Sequence, residues 1–180
     1  MTPTDVAALA AVGEGHWTLT YVRHYVHAPE KVWKAITDPS LRTTWFPDTV
    51  DGDFTTVGAK LTFSTEGDWM EPFFGEVLTS DPGRLLEITW GGDVLRMELT
   101  ATETGTTLRF TDTITEQGKA ARDGAGWHAC LDNIVHAIEG TDPPGNPGKR
   151  WAGLFADYKT ALGPDASTEG PPEGWTPPDD

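Results

Sequence analysis

The sequence predicts an α+β fold: a curved antiparallel β-sheet wrapped around a long C-terminal α-helix, with two short helices after the first strand. Three observations predict it. Residues 49–115 read as a run of short strands separated by turn residues, and Lys119–Gly140 carries the longest helical pattern in the chain. Between the first strand and that run lie two short, proline-punctuated helical patterns. A sheet with one apolar face buries that face by closing round a helix.

Taken in order, residues 1–15 are Ala- and Gly-rich with little periodicity and read as a flexible N-terminal arm, frayed or weakly helical. Trp17–His27 alternates, with Trp17, Leu19, Tyr21 and Tyr25 on one face, which is the period of a strand. Pro29 suits a first helical turn, Val32, Trp33 and Ile36 give a short apolar face, and Asp38–Pro39 breaks it. Leu41–Phe46 makes a second short helix, ended by Pro47.

The strands LTFST, FFGEVLTS, RLLEITW, VLRMELTA and TTLRFTDT follow, joined by turns such as Asp81–Pro82–Gly83 and Gly91–Gly92–Asp93. Their apolar positions (Leu61, Phe63; Val77; Leu86, Ile88, Trp90; Leu95, Met97, Leu99; Leu108, Phe110) alternate with polar ones, so one face is buried and one is wet. In the long helix, Trp127, Leu131, Ile134 and Ile138 share a face, and Gly140 with Pro143–Pro144 stops it. Ala120, Ala121, Gly124, Ala125 and Gly126 make its first half unusually small, at a cost in helix propensity. Something must approach that half closely: a sheet backbone or a ligand cavity. A Pro/Gly loop then leads to WAGLFADYKTAL, a further amphipathic helix, and 163–180 reads as a disordered acidic Pro/Gly-rich tail. The expected organisation is one domain, 16–162, between arm and tail.

At 180 residues and 37% hydrophobic, the chain suits one domain with a real core. Eight Trp among 10% aromatic residues supply either a generous core or the lining of an apolar pocket. A net charge of −15 argues against nucleic acid and anionic membrane as partners. The lone Cys130 excludes an internal disulfide and a multi-thiolate metal site. No basic n-region with an apolar run stands near Met1, and no apolar stretch approaches the roughly 20 residues that span a bilayer. The expectation is a soluble, cytoplasmic protein, monomeric or weakly dimeric. Signatures of phosphate loops, nucleophile elbows, CxxC and HExxH sites are missing from the sequence.

The element order, together with APEKVWKAITDP, the Trp45–Phe46 pair, GEVLTSDPGRLLEITW, MELTATETGTTLRF and GWHACLDNI, resembles the Aha1 C-terminal-like (AHSA1) branch of the START/Bet v 1-like helix-grip superfamily, SRPBCC, over about residues 17–160. The resemblance implies a helix-grip: a sheet gripping a C-terminal helix around a cavity, with apolar small molecules as common ligands. It also implies that polyketide cyclase/aromatase-like enzymes are relatives. The Hsp90-activating co-chaperones of the family carry an additional N-terminal domain, for which these residues leave no room, so their function is not expected to transfer.

The aromatic set Tyr21, Tyr25, Phe63, Phe73, Trp90, Phe110 and Trp127 divides between core and pocket wall, with Met97 and Leu131 beside it. Arg23 and Asp112 sit in register with inward positions, where an isolated charge is costly. Each needs a partner: an Arg23–Asp112 ion pair, a wet strand end, or a ligand. His128, Asp132 and His136 are spaced by four, a metal-ligand stripe in form, but they drift towards solvent and read as a solvated face, so no metal is expected. His24 and His27 point outward. Cys130, with no basic neighbour in sequence, reads as an inert buried thiol. Trp69, in the acidic turn Glu66–Glu71, and Trp45 are large apolar groups in surface-like contexts and would form the rim of a cavity mouth, the 64–72 hairpin acting as a mobile gate.

The leading functional expectation is a binding module for one apolar or aromatic small molecule, without cofactor, held in a cavity between sheet and helix and anchored by Arg23 or Asp112. The ligand-binding set is then Tyr21, Arg23, Tyr25, Trp45, Phe63, Trp69, Phe73, Trp90, Met97, Phe110, Asp112, Trp127 and Leu131. A cyclase/aromatase-like enzyme using the same cavity is the alternative. A protein-interaction adaptor of the Hsp90-activator kind is the third reading.

Overall fold

Strict two-residue alternation builds the sheet. The computed structural model describes residues 6–65, 70–171 and 173–177. Strands β1 (Ala8–Gly13) and β2 (His16–Tyr25) are followed by helices α1 (Pro29–Thr37) and α2 (Pro39–Arg42). Six further strands come next: β3 (Thr49–Asp51), β4 (Lys60–Ser64), β5 (Phe73–Asp81), β6 (Leu85–Trp90), β7 (Asp93–Thr102) and β8 (Gly105–Ile114). All eight form one antiparallel sheet in the order β1-β2-β8-β7-β6-β5-β4-β3. Leu61, Phe63, Val77, Leu86, Ile88, Leu95, Met97, Leu108 and Phe110 are buried on the inner face. On the outer face Arg96 bridges Glu87 at 2.9 Å and Glu98 at 3.0 Å. The register shifts between Val77 and Thr79, a bulge of the kind that bends a strand.

Three helices follow the sheet: α3 (Ala120–Asp132), α4 (Ile134–Glu139) and α5 (Pro147–Leu162). The single long helix expected over 119–140 is therefore two. At Asn133 the backbone N–H reaches back to Cys130 O at 3.0 Å, a tightened turn at a residue whose side chain competes with helix. α3 turns Trp127, Leu131 and its small residues inward, so the sheet grips it as the sequence implies. Gly140, at φ 69°, ends α4 in the left-handed conformation that glycine adopts without strain.

The close approach that the small half of α3 requires comes from neither sheet backbone nor cavity. It comes from α5, whose Tyr158 is fully buried. A Cβ at Gly124 would lie 2.6 Å from two Tyr158 ring carbons. α5 starts where Asn146 accepts the Lys149 N–H and Pro147 occupies the first turn.

Three expectations change. Residues 8–13 of the expected arm pair with β2 as the sheet's edge strand, because alanine and valine extend along Trp17–Thr20 without needing burial of their own. The second short helix ends at Arg42 instead of Phe46; the Trp45 N–H already bonds to Arg42 O, three residues back. The described part of the expected disordered tail is packed: Pro164–Ala166 forms a 3₁₀ turn, Ala166 is buried, and the Glu169 N–H donates to Gly118 O at 3.0 Å. Arg122 pairs with Glu169 at 3.1 Å, and the Trp175 ring meets Trp151 edge-on at 5.1 Å. Low hydrophobicity suggested disorder, but two tryptophans and one ion pair suffice to hold the strap down. Among the described residues no helix is long and apolar enough to cross a membrane.

Gly124→Ala should destabilise the fold by about 1–3 kcal/mol through the Tyr158 clash, although alanine favours an exposed helix over glycine by ~1 kcal/mol. Urea unfolding checks this. A second change, Tyr158→Leu, should recover part of the Gly124→Ala loss, and full additivity of the two would show that the ring is not what Gly124 accommodates.

Candidate functional site

Two regions hold the candidate residues. The first is the interior between sheet and α3. Trp127 stands at its centre, with ring centroids of Phe110, Trp90 and Phe46 at 5.0, 5.1 and 5.6 Å. Phe63 stacks on Phe73 at 5.1 Å, and Phe73 meets Trp90 edge-on at 5.5 Å. Rings so spaced touch, and among the described residues these side chains pack on one another between sheet and α3. At its edge a small apolar hollow of about 170 Å³ lies against Trp90, Trp127, Cys130 and Trp151.

The polar atoms of this interior are tied internally. Trp127 Nε1 donates to Asp112 Oδ2 at 3.0 Å, and Trp90 Nε1 donates to Asp48 Oδ2 at 2.8 Å. Trp45 is not a rim residue: it is buried, and its indole N–H donates to Ala35 O at 3.0 Å, fastening the short helices to the core. Trp69 lies outside the described residues, and with it the expected gate. The Cys130 thiol is pushed up to about 12, chiefly by burial, which leaves little thiolate at neutral pH.

Asp112 does not pair with Arg23. It is fully buried on β8 beneath Trp127, with Oδ1 lacking a hydrogen-bond partner among the described residues. Burial, then repulsion from Asp93 and Asp123, holds its carboxyl well above the usual carboxylate range. The three carboxylates lie within 4.8 Å of one another. Lys119 supplies the cation they require: its Nζ is 2.6 Å from Asp93 and 3.6 Å from Asp123, while Arg122 Nε is 2.8 Å from Asp123. Lys119 and Arg122 thus oppose Asp93 and Asp123, and Arg122 reaches Glu169 as well.

The second region is a trough along β2. β1 pairs with β2 only as far as Thr20, opposite Ala8. Ala7 then leaves the sheet, its N–H donating to the Tyr158 hydroxyl at 2.9 Å. Among the described residues, Tyr21–Tyr25 pair only with β8. Beside this open edge lies a hollow of about 730 Å³, walled by Val22 and Arg23 of β2, His128 and Asp132 of α3, and Arg150, Gly153 and Leu154 of α5. A second hollow of about 370 Å³ shares Arg23, His24 and Asp132 with it and continues past Tyr25, Leu131 and Val135. The smaller hollow is richer in apolar side chains, although His27 and Glu139 line it as well.

Asp132 is the hub of the polar end. Arg23 Nε donates to its Oδ1 at 3.1 Å, Arg150 donates to its Oδ2, and His128 Nε2 lies 3.5 Å from Oδ2. His128 is buried, against the expectation of a solvated face, with Nδ1 3.1 Å from the Tyr158 hydroxyl. His136 lies beyond the Asn133 break and faces Thr141 at 2.8 Å, so the spaced stripe does not converge on a metal. Tyr21 is also committed, its hydroxyl donating to Gly124 O at 2.9 Å. The Tyr25 hydroxyl is not: it is buried and has no partner among the described residues.

Of the expected ligand set, the structure brings Arg23, Tyr25 and Leu131 to the trough and leaves Phe63, Phe73, Trp90, Met97, Phe110, Asp112 and Trp127 in the packed interior. Asp132, Arg150 and Tyr158 were missed. Asp132 was weighed only as a metal ligand, and Arg150 and Tyr158 enter through a helix whose docking the sequence does not specify.

A curved antiparallel sheet closed on a C-terminal helix, with short helices after its first long strand, is the helix-grip arrangement of the SRPBCC superfamily. Within it the chain belongs to the family described as activator of Hsp90 ATPase homolog 1-like protein (AHSA1), whose model matches residues 27–139. Similar solved structures include CalU16 from Micromonospora echinospora, 22% identical over 86% of this chain and 94% of that one, TM-score 0.66. EF2215 from Enterococcus faecalis, a conserved protein of unknown function, is 17% identical over 87% and 90%, TM-score 0.71. MLL2253 from Mesorhizobium loti is 27% identical over 68% and 94%, TM-score 0.56. No curated protein matches the chain significantly.

A buried carboxyl whose folded pKa is raised costs stability as pH climbs from its unfolded value through its folded one. Asp112→Asn removes the ionisation and keeps an acceptor for Trp127. The variant should therefore match the parent near pH 4, where Asp112 is protonated in the fold, and exceed it in stability at pH 8. Equal denaturation midpoints for the pair at pH 8 would show that Asp112 carries no such penalty.

Proposed function

We propose that the protein binds one small, mainly apolar molecule along the trough between β2 and α3–α5, with Arg23 as its polar anchor. The observation that carries this reading is the trough: a hollow of about 730 Å³ beside one of about 370 Å³, the two sharing Arg23, His24 and Asp132 and the second lined also by Tyr25, Leu131 and Val135. Those volumes fall in the range of small-molecule sites, roughly 300–1,000 Å³. The interior offers about 170 Å³ at its edge, too little for more than a small ring. Family membership supports a ligand-binding or cyclase-like role in general terms.

Ring-closing catalysis of the polyketide cyclase kind is the second reading. It draws on His128 and Asp132, which line the larger hollow 3.5 Å apart, with the buried Tyr158 hydroxyl bonded to His128 behind them. Turnover of a bound candidate substrate, lost in His128→Ala with binding retained, would favour it over simple carriage.

The test uses Gly153, which lines the trough and has nothing within 4 Å of the position its Cβ would take. Gly153→Trp should fill the trough at little cost, shifting the melting temperature by no more than about 2 °C. Native mass spectrometry of protein from its own host is expected to show a co-purifying small molecule in the parent and none in the variant. Full occupancy retained in folded Gly153→Trp would remove the trough as the site.

A further inference from the structure

We propose that the hollow of about 170 Å³ between α3, α5 and β6 is a second binding site, one that takes a single uncharged aromatic ring. It shares no lining residue with either hollow of the trough, so it stands or falls separately from the reading above. Size sets the occupant: an apolar cavity of about 150 Å³ in a protein core holds one benzene. Trp151 belongs to α5, beyond the residues that the family model matches, so the chain's own C-terminal helix completes the wall.

Three indoles make the wall, and each is held by residues outside the hollow. Trp90 Nε1 donates to Asp48 at 2.8 Å, and Trp127 Nε1 donates to Asp112 at 3.0 Å. Trp151 stacks on Phe155 at 4.9 Å and meets the Trp175 ring edge-on at 5.1 Å. Rings fixed in this way need no ordering when a ligand enters, which lowers the cost of binding. Trp90 and Trp127 already meet edge-to-face at 5.1 Å, and a guest ring extends that pattern as a saturated ring of the same size does not. Pro47 and the protonated Cys130 thiol complete the apolar lining. Arg122 and Asp123 line it too, but as partners of each other at 2.8 Å, with Glu169 and Lys119 as their second partners. Both charges are already answered, so an ionised ligand would lose its water there without gaining an ion pair. Gly126 keeps the space open: a Cβ there would meet only Trp151 Nε1, at 3.9 Å.

The experiment is isothermal titration of benzyl alcohol, its saturated counterpart cyclohexylmethanol, and benzoate into the parent and into Gly153→Trp, whose trough is filled. Gly126→Leu and Trp151→Ala are then added to Gly153→Trp one at a time. Benzyl alcohol is expected to bind both the parent and Gly153→Trp with a dissociation constant on the order of 1 mM or tighter. Cyclohexylmethanol should bind about threefold or more weakly, for want of ring contacts, and benzoate about tenfold or more weakly. Gly126→Leu should abolish binding with the melting temperature unchanged or raised, because leucine favours the helix over glycine and its Cβ meets no clash. Trp151→Ala should weaken benzyl alcohol about threefold or more and narrow its preference over cyclohexylmethanol. Failure of benzyl alcohol to bind the parent would overturn the site, as would affinity untouched by both Gly126→Leu and Trp151→Ala. Binding lost in Gly153→Trp alone would place the ring in the trough and overturn it as well. Cyclohexylmethanol bound as tightly as benzyl alcohol would overturn the aromatic assignment.

Discussion

The indole of Trp127 is the contact on which the inner side of the sheet depends. It joins α3 to β8 through a hydrogen bond to Asp112 and contact with the Phe110 ring, to β6 through the Trp90 ring, and to the segment after α2 through the Phe46 ring. Each such ring pair adds about 0.5–1.5 kcal/mol beyond area burial. A buried indole N–H without an acceptor would forfeit part of that, so the acid beneath it follows from the ring above. The acid then needs its own surroundings: Lys119 and Arg122 answer Asp93 and Asp123, while burial beside those two carboxylates holds the Asp112 carboxyl well above the usual range. One large aromatic residue at the front of α3 thus explains four charged side chains around it.

The same ring has a functional consequence. By filling the grip it leaves little room for a ligand where the sheet closes on the helix. The space that survives lies where the packing is incomplete, along β2 beyond Thr20. Among the described residues β1 pairs no further than Thr20, and the Ala7 N–H goes to the Tyr158 hydroxyl. Tyr158 in turn can stand there only because Gly124 carries no side chain. Gly124, Tyr158 and Ala7 are therefore linked: a missing Cβ admits a ring, and the ring's hydroxyl holds the backbone N–H just before β1.

Much of the fold was legible in the sequence because alternation is a local property. The buried positions of β4 to β8 follow the two-residue period with few exceptions, and Trp127 faces the sheet as its helical wheel requires. The smallness of Ala120–Gly126 announced a close approach, but a sequence does not say from which side, and the partner proved to be α5. The site was less legible for the same reason. Arg23 was recognised as a charge that must find a partner, yet the choice between Asp112 and Asp132 depends on where α3 lies across the sheet. The Asn133 break also escaped, since one turn tightened by a single residue barely disturbs a hydrophobic period, although it decides that His136 leaves the stripe of His128 and Asp132.

The charge distribution links these parts. A net charge of −15 spread over the surface would disfavour any acidic ligand. Arg23 and Arg150 both pair with Asp132, which is half-buried between β2, α3 and α5. Removing an ion pair of this kind by deleting one partner leaves the other charges uncompensated, so the geometry is self-enforcing: the two guanidinium groups stay at the trough because the carboxylate does. The docking of α5 thus adds Arg150 to this end of the trough, and the same helix holds the Ala7 N–H through Tyr158. A single helix, absent from the span that matches the family model, makes the hollow and charges it.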